Sequence, residues 1–109
     1  MNEPLEPLAP KTEAGWTFLT NHAHVLLCLA EGRDDTLRAV AVRVGITERA
    51  VQRIVGDLEA GGVIARSRDG RRNRYEVNPA IPLRHDLESH KTVGDLMTMV
   101  SGALASGKE

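Results

Sequence analysis

The side chains of this sequence that can do chemistry are mostly arginines, and they are concentrated in one segment. Between Arg43 and Arg74 there are eight arginines against four acidic residues, a local net charge of +4 in a chain of 109 residues whose formal net charge is −1. A guanidinium group is always charged and donates paired hydrogen bonds to phosphate and carboxylate oxygens. The segment therefore predicts an anion-binding surface inside an otherwise acidic chain.

No group of residues predicts catalysis. The carboxylates are scattered, and the sequence contains no glycine-rich phosphate loop, no nucleophile elbow and no metalloprotease helix. We expect no enzymatic activity and no cofactor.

The histidines and the single cysteine give poor metal-binding patterns. His22 and His24 are two residues apart on a predicted helix and point in different directions. Cys28 has no second cysteine beside it, so we expect an inert thiol on an apolar helix. The best cluster lies in a predicted connection, where such residues are usually plain polar surface, and we expect no metal there: His85, Asp86, Glu88 and His90.

Length and composition fit one compact domain. The chain is 41% hydrophobic but has only one Trp, one Tyr and one Phe, so the core must consist mainly of Val, Leu, Ile and Ala. The longest apolar run, residues 25–30, is far shorter than a bilayer span, and the N-terminus lacks the pattern of a signal peptide. We expect a cytoplasmic protein that has no membrane partner.

Caps and glycines predict four helices and one hairpin. Residues 1–14 are rich in Pro and Glu and predict a flexible tail, and the apolar cluster Trp16, Phe18 and Leu19 is expected to pin the chain to the core. Helices are predicted from Thr20 or Asn21 to Ala30 with a stop at Gly32, from Thr36 to Val44, from Thr47 to Ala60, and from Thr92 to about Ala105. Strands are predicted at residues 63–67 and 73–77, on either side of an Asp69-Gly70 turn.

The segment from Leu37 to Leu58 meets the requirements of a helix-turn-helix at one register. Ala41 is small where two helices cross closely, and Gly45 tolerates the positive φ of a sharp turn. Apolar residues at 40, 44, 46, 51, 54 and 55 hold the two helices together, which leaves the opposite side of the third helix facing outward. The outward residues predicted to contact DNA are Thr47, Glu48, Arg49, Gln52 and Arg53.

Each of these side chains has its own chemistry. Arg49 and Arg53 can bind guanine edges or phosphate, Gln52 can bind adenine, and Thr47 suits a phosphate. Glu48 can accept a hydrogen bond from cytosine, or it can simply stabilise the helix N-terminus, where negative charge is favoured.

Together with the hairpin, this segment resembles the winged helix-turn-helix regulators of the MarR, ArsR and Lrp/AsnC type. The resemblance covers residues 19–77 and rests on Ala41, Gly45 and Ile46, on the helix TERAVQRIVGDLEAGGVI and on the hairpin RSRDGRRNRYEV. It implies binding of double-stranded DNA with the third helix in the major groove, and dimerisation. It also implies that the hairpin is a wing contacting the minor groove or backbone, through Arg66, Arg68, Arg71, Arg72 and Arg74.

These observations predict a mainly α fold, a winged helix-turn-helix with a small hairpin and an added C-terminal helix. We expect residues 15–80 to form the DNA-binding domain and residues 81–109 a connection and a dimerisation helix. The expected function is that of a homodimeric repressor. The predicted dimer interface is Leu27, Val93, Leu96, Met97, Val100 and Leu104.

Two alternatives stay open. Winged helices also serve as protein–protein adaptors, although a basic, polar third helix favours DNA. A ligand- or metal-responsive sensor of the ArsR type is the other; the sequence lacks that family's cysteine motif, and a small-molecule effector has no support from particular residues.

Overall fold

The computed structural model describes residues 15–31 and 36–101 of the chain. In chain order these residues form α1 (Asn21–Ala30), α2 (Leu37–Val44), α3 (Glu48–Ala60), β1 (Ile64–Asp69), β2 (Arg72–Val77) and α4 (Val93–Ser101). The predicted fold class is confirmed. The predicted tail at residues 1–14, the stop at Gly32 and the end of the last helix near Ala105 lie outside the described residues.

Each of the first three helices has a threonine as its N-cap residue. The hydroxyl oxygens of Thr20, Thr36 and Thr47 accept hydrogen bonds from the backbone N–H three residues later, at 3.3, 3.1 and 3.0 Å. Such a bond satisfies one of the N–H groups that lack a partner within the helix. The threonines therefore fix where the helices begin, as the sequence predicts.

The turn of the helix-turn-helix depends on Gly45, whose φ is +89°. In this left-handed conformation its N–H donates to the carbonyl oxygen of Ala41 at 2.8 Å, and the N–H of Ile46 donates to the same oxygen at 3.1 Å. A residue with a Cβ adopts this conformation only with strain. Gly45 thus ends α2 and sets the direction in which α3 begins.

α3 ends in a Schellman motif. The N–H of Val63 donates to the carbonyl oxygen of Leu58 at 2.9 Å, and the N–H of Gly62 donates to that of Glu59 at 3.0 Å. Of the two glycines that follow α3, Gly62 supplies the left-handed conformation with φ +76°, whereas Gly61 has φ −83°. The motif turns the chain directly from α3 into β1.

One hydrophobic core joins all four helices to the base of the hairpin. It is aliphatic, as the composition predicts, and its members have at most 9% of their surface exposed. α1 and α3 supply most of it, and α4 adds two residues. The buried set is Val25, Leu26, Leu29, Val40, Ala41, Val51, Ile54, Val55, Leu58, Val63, Ile64, Val93 and Met97.

The hairpin is longer than the sequence predicts. Asp69 pairs with Arg72, so only Gly70 and Arg71 form the loop, and Gly70 has φ +68°. A two-residue loop with positive φ at its first position suits the twist of an antiparallel pair. The predicted strand ends, Ser67 and Asn73, are corrected to Asp69 and Arg72 because the ladder continues up to this tight loop.

The connection from β2 to α4 folds back on itself. The N–H of Val93 donates to the carbonyl oxygen of Ile81, and that of Leu83 donates to Lys91, both at 2.8 Å. At the start of α4, Thr92 and Asp95 form a capping box: each donates its backbone N–H to the other's side chain, at 2.9 and 3.1 Å. α4 is thereby held against the core.

The prediction that Trp16 and Phe18 pin the chain to the core is wrong. Trp16 is 64% exposed and Phe18 is 91% exposed. Their rings contact each other edge to face, with centroids 5.0 Å apart, and only Leu19 is half-buried. The two aromatic residues pack on each other at the surface, and the core itself is formed by aliphatic side chains.

No helix in residues 15–31 or 36–101 is both long and apolar enough to span a bilayer.

Candidate nucleic-acid interface

α3 has one buried side and one outward side. Its buried residues are Val51, Ile54, Val55 and Leu58. Successive residues of an α-helix are rotated by about 100°, so the line of residues opposite this buried set is fixed by the sequence. That line, which we call the outward stripe, consists of Arg49, Arg53, Gly56 and Ala60, and all four residues are exposed.

The structure brings the predicted recognition residues together at the N-terminal half of α3. Arg49 and Arg53 lie one turn apart on the outward stripe, and Glu48 and Gln52 lie on one flank of it. All four are exposed, as is Thr47, whose oxygen caps the helix and whose hydroxyl proton remains able to donate. The arrangement presents two guanidiniums, an amide and a hydroxyl to one approaching surface.

Two side-chain contacts join α3 to neighbouring elements, one on each side of the outward stripe. At one edge Asp57 Oδ2 lies 2.8 Å from His22 Nε2 of α1, and at the other Glu59 Oε2 lies 3.1 Å from Arg66 Nε of β1. Both acidic groups of the C-terminal half are therefore drawn sideways to neighbouring elements. The outward stripe between them carries positive charge and no acid.

Arg49 and Arg53 have no hydrogen bond or ion pair with any residue that the structure describes. Like charges one turn apart on a helix repel each other weakly. An external anion removes this repulsion and satisfies donors that otherwise face water. The free guanidiniums are therefore suited to binding phosphate or the hydrogen-bond acceptors of a base.

The five arginines of the hairpin divide between its two faces. Paired residues of antiparallel strands share a face, and successive residues alternate. Arg66 pairs with Tyr75 in the register, so Arg66 and Arg68 lie on the face that begins with the buried Ile64. Arg72 and Arg74 lie on the opposite face, and Arg71 is at the tip, so the predicted set does not form one surface.

Internal ion pairs separate these arginines further. Arg66 is bound to Glu59 of α3, and Arg74 Nε lies 3.0 Å from Asp69 Oδ2 of β1. Arg68 and Arg71 are exposed and have no partner within the described part of the chain. The two arginines best placed to bind an external anion are therefore Arg68, on the face that begins with Ile64, and Arg71, at the tip.

Sequence reasoning missed Glu59 and Asp69 as partners of the wing arginines. Asp69 lies diagonally across the hairpin from Arg74, a relation that the correct strand register would have revealed. The pairing of Glu59 with Arg66 has no signal of comparable strength, because a Gly-Gly turn separates the two residues in sequence. The structure alone shows that Arg66 connects the wing to α3.

The predicted interface set is only partly available to a partner. Val93 and Met97 are buried in the core of the chain, and Leu27 and Leu96 are half-buried, with Leu27 packed against the core. Val100 is 48% exposed, and Leu104 lies outside the described residues. Met99, which the prediction omitted, is 69% exposed.

Exposed apolar side chains continue beyond α4. One surface groove is lined by Phe18, Leu83 and Leu96, and a second is lined by Leu83, Leu96 and Met99. The shared residues join the two grooves into one apolar patch, which we define as Phe18, Leu83, Leu96 and Met99. The patch lies on α4, on the 81–92 connection and on Phe18 before α1, and it does not include any residue of the outward stripe.

Among the described residues no three His, Cys, Asp or Glu side chains come together in a way that could hold a metal ion. Three of the histidines contact other side chains or the backbone: His22 of α1 contacts Asp57 of α3, His24 Nδ1 lies 3.1 Å from Asn21 Oδ1, and His85 Nδ1 accepts the N–H of Leu87 at 3.0 Å.

Comparison with known proteins agrees with this geometry. A sequence model described as winged helix-turn helix matches residues 22–81, which run from the start of α1 to the end of the hairpin and into the connection. No curated protein and no solved structure matches the chain. The match spans more than half of the chain and contains the helix-turn-helix, the outward stripe and the arginine-rich hairpin, and the chain therefore belongs to the winged helix-turn-helix family.

Proposed function

We propose that this chain is a sequence-specific, double-stranded DNA-binding transcriptional regulator that acts as a homodimeric repressor. The observation that carries the proposal is the outward stripe: Arg49 and Arg53 are exposed, have no partner in the described part of the chain, and project from the helix that follows the turn. An α-helix of this kind fits the major groove, where arginine binds guanine and glutamine binds adenine.

The wing supplies the second contact. The ion pair between Arg66 and Glu59 holds the hairpin against α3, and Arg68 and Arg71 lie farther along the same hairpin. They can therefore reach the backbone or minor groove beside the groove that α3 occupies. The order of helix-turn-helix, Gly-Gly stop and arginine-rich wing is similar to regulators of the MarR, ArsR and Lrp/AsnC type, and this similarity supports the regulatory role. We include repression in the proposal because a protein bound at a promoter in this way would block the access of polymerase.

The apolar patch supports a homodimer. A two-fold interface brings the same surface together with itself, so it must contain both members of any charge pair it forms. Each groove of the patch has one charged residue of each sign at its edge: Arg84 and Glu88 in the first, Lys91 and Asp95 in the second. A second copy is thus complementary in both hydrophobicity and charge. Such a dimer places two α3 helices about 34 Å apart, on an imperfect palindrome.

The DNA proposal is tested by selection followed by titration. Duplexes are enriched from a random library with wild-type protein, and fluorescence anisotropy then compares an enriched duplex with a scrambled one for wild type, Arg53→Ala and Arg43→Ala. Arg43 is a matched control because its guanidinium is held 2.9 Å from Glu31. We expect preference for the enriched duplex, a loss of about tenfold or more in Arg53→Ala, as for a bidentate base contact, and little change in Arg43→Ala.

Two results contradict the proposal. If wild type binds no duplex at low salt, or if Arg49→Ala and Arg53→Ala both bind as wild type does, the outward stripe is not a DNA-binding surface, and a protein-binding adaptor becomes the better interpretation.

The dimer is tested by sedimentation equilibrium at micromolar concentration. We expect a dimer for wild type, a monomer for Met99→Glu, whose charge would fall inside the interface, and a dimer for Val42→Glu, since Val42 is also exposed but lies on α2 outside the patch. A wild-type monomer would remove the homodimer from the proposal.

A further inference from the structure

Gly56 is a glycine that the fold does not need. It lies within α3, is exposed, and has a helical conformation with no positive φ. A Cβ added at this position meets no atom of residues 15–31 or 36–101 within 4 Å. In a helix interior glycine is less favourable than alanine by about 1 kcal/mol, so an alanine here would stabilise the protein.

The other glycine within a helix shows what a structural reason looks like. A Cβ added at Gly94 of α4 would lie 3.0 Å from Pro79 Cβ and 3.1 Å from Pro79 O, so Pro79 would have to move by a few tenths of an ångström. The close approach of the connection to α4 therefore favours glycine at residue 94. Nothing in the described structure makes a comparable demand at Gly56.

The position of Gly56 on the outward stripe indicates a reason for glycine outside the fold itself. The outward stripe changes character along the helix: its N-terminal half has the long side chains of Arg49 and Arg53, and its C-terminal half has only Gly56 and Ala60. Bare helix backbone is thus exposed on the same line that carries the DNA-binding arginines. A surface that contacts Arg49 and Arg53 can approach the helix itself at Gly56.

The charges beside Gly56 identify the part of DNA that fits. Asp57 and Glu59 flank it but are drawn away to His22 and Arg66, so the stripe at this point is neither acidic nor basic. A small, apolar strip packs well against the deoxyribose rings of a strand, whereas phosphates are better bound by the arginines of the wing and of the first turns of α3.

We propose that the backbone of α3 packs directly against the deoxyribose rings of one DNA strand at Gly56, and that this close contact sets the depth at which Arg49 and Arg53 reach the bases. The inference rests on the proposed function and adds to it a positioning residue that carries no polar group. Any side chain at residue 56 would hold the helix away from the groove wall by roughly its own thickness.

The test is a size series at this position: Gly56→Ala, Gly56→Ser and Gly56→Leu, with Val42→Leu as a control that adds bulk to an exposed residue of α2. Urea unfolding and anisotropy titration with the enriched duplex are measured on each protein. We expect all three variants to have unfolding midpoints at or above that of wild type, because each replaces glycine within a helix.

Binding is expected to follow the opposite order. Affinity should fall with the volume of the side chain, reaching a loss of about tenfold or more in Gly56→Leu, which corresponds to 1.4 kcal/mol of overpacking, while Val42→Leu binds as wild type does.

Three outcomes would overturn the inference or its basis, and they are distinct. A Gly56→Leu variant that is stable and binds the duplex as tightly as wild type refutes the close contact but leaves the proposed function standing. A Gly56→Ala variant with a lower unfolding midpoint shows that the fold itself requires the glycine. A wild-type protein that binds no duplex removes the proposed function as well.

Discussion

The wing provides the sharpest quantitative prediction, because the structure divides four of its five arginines into two pairs of equal charge. Arg68 and Arg71 have no partner in the described part of the chain, whereas Arg66 and Arg74 are held by Glu59 and Asp69. The perturbation is the double variant Arg68→Ala/Arg71→Ala. Its matched control, Arg66→Ala/Arg74→Ala, removes the same number of arginines from the same hairpin.

The expected magnitude follows from counterion release. Each phosphate contact contributes about 0.9 to the slope of log K against log salt concentration, so two contacts contribute about 1.8. Between 50 and 200 mM salt, a fourfold increase, a slope of 1.8 corresponds to about a twelvefold change in affinity. Over this range the affinity of wild type should therefore fall about twelvefold more than the affinity of the double variant, on specific and scrambled duplexes alike.

The control should behave differently. Arg66 and Arg74 already bind carboxylates in the free protein, so they add little to the number of counterions released from DNA. Their removal should therefore leave the salt slope close to that of wild type. The assay is anisotropy titration of each protein at four or more salt concentrations, with the slope as the measured quantity. Affinity at a single salt concentration does not separate the two variants, because the control also exposes Glu59 and Asp69.

A salt slope for Arg68→Ala/Arg71→Ala equal to that of wild type would refute the assignment of these two arginines to the DNA backbone. A control that loses as much slope as the test variant would refute the reasoning itself, since the internal ion pairs would then have no influence on which arginines bind DNA.

Three further predictions concern stability. Val51 is fully buried, so Val51→Ala should lower the free energy of unfolding by about 2 kcal/mol, whereas the same substitution at Val42, which is 78% exposed, should change it by less than about 0.5 kcal/mol in urea titrations. The hydroxyl of Tyr75 is buried without a hydrogen-bond partner in the described structure, so Tyr75→Phe should leave the urea midpoint unchanged or raise it; a clear loss would mean that the hydroxyl is bonded. The backbone N–H of Thr92 donates to Asp95 and holds the pKa of that carboxyl below its ordinary value. The carboxylate therefore stabilises the fold above its unfolded-state pKa and stops doing so as the pH falls through the lower, folded-state pKa, so the midpoint difference between wild type and Asp95→Asn should be present at neutral pH and vanish in acid.

α3 shows how much of the structure is determined by local sequence. Thr47 caps α3, Gly45 turns the chain into it, and Gly62 ends it, each through hydrogen bonds that span five residues or fewer. The pattern of apolar residues then fixes which side of α3 is buried and so which side faces outward. Both the position of the helix and its outward residues could therefore be predicted from the sequence.

Predictions failed where exposure depends on tertiary packing. Trp16 and Phe18 are large and apolar, and their types alone favour burial, but the core consists of aliphatic residues and the two rings lie at the surface against each other. α4 gives a second example: Val93 and Met97 belong to the core of the chain, and the exposed apolar surface lies instead at Met99 and the connection.

The sequence by itself determined the helices, the turn, the hairpin and the outward side of α3, because these depend on backbone preferences and hydrogen bonds between residues close together in the chain. Only the tertiary structure decided which arginines are free. Arg66 and Arg74 look the same as Arg68 and Arg71 in the sequence, and they differ because folding places Glu59 and Asp69 within 3.1 and 3.0 Å of the first two. An ion pair depends on the distance between two charges, and it is the packing of α3 against the hairpin and the register of the strands that set those distances.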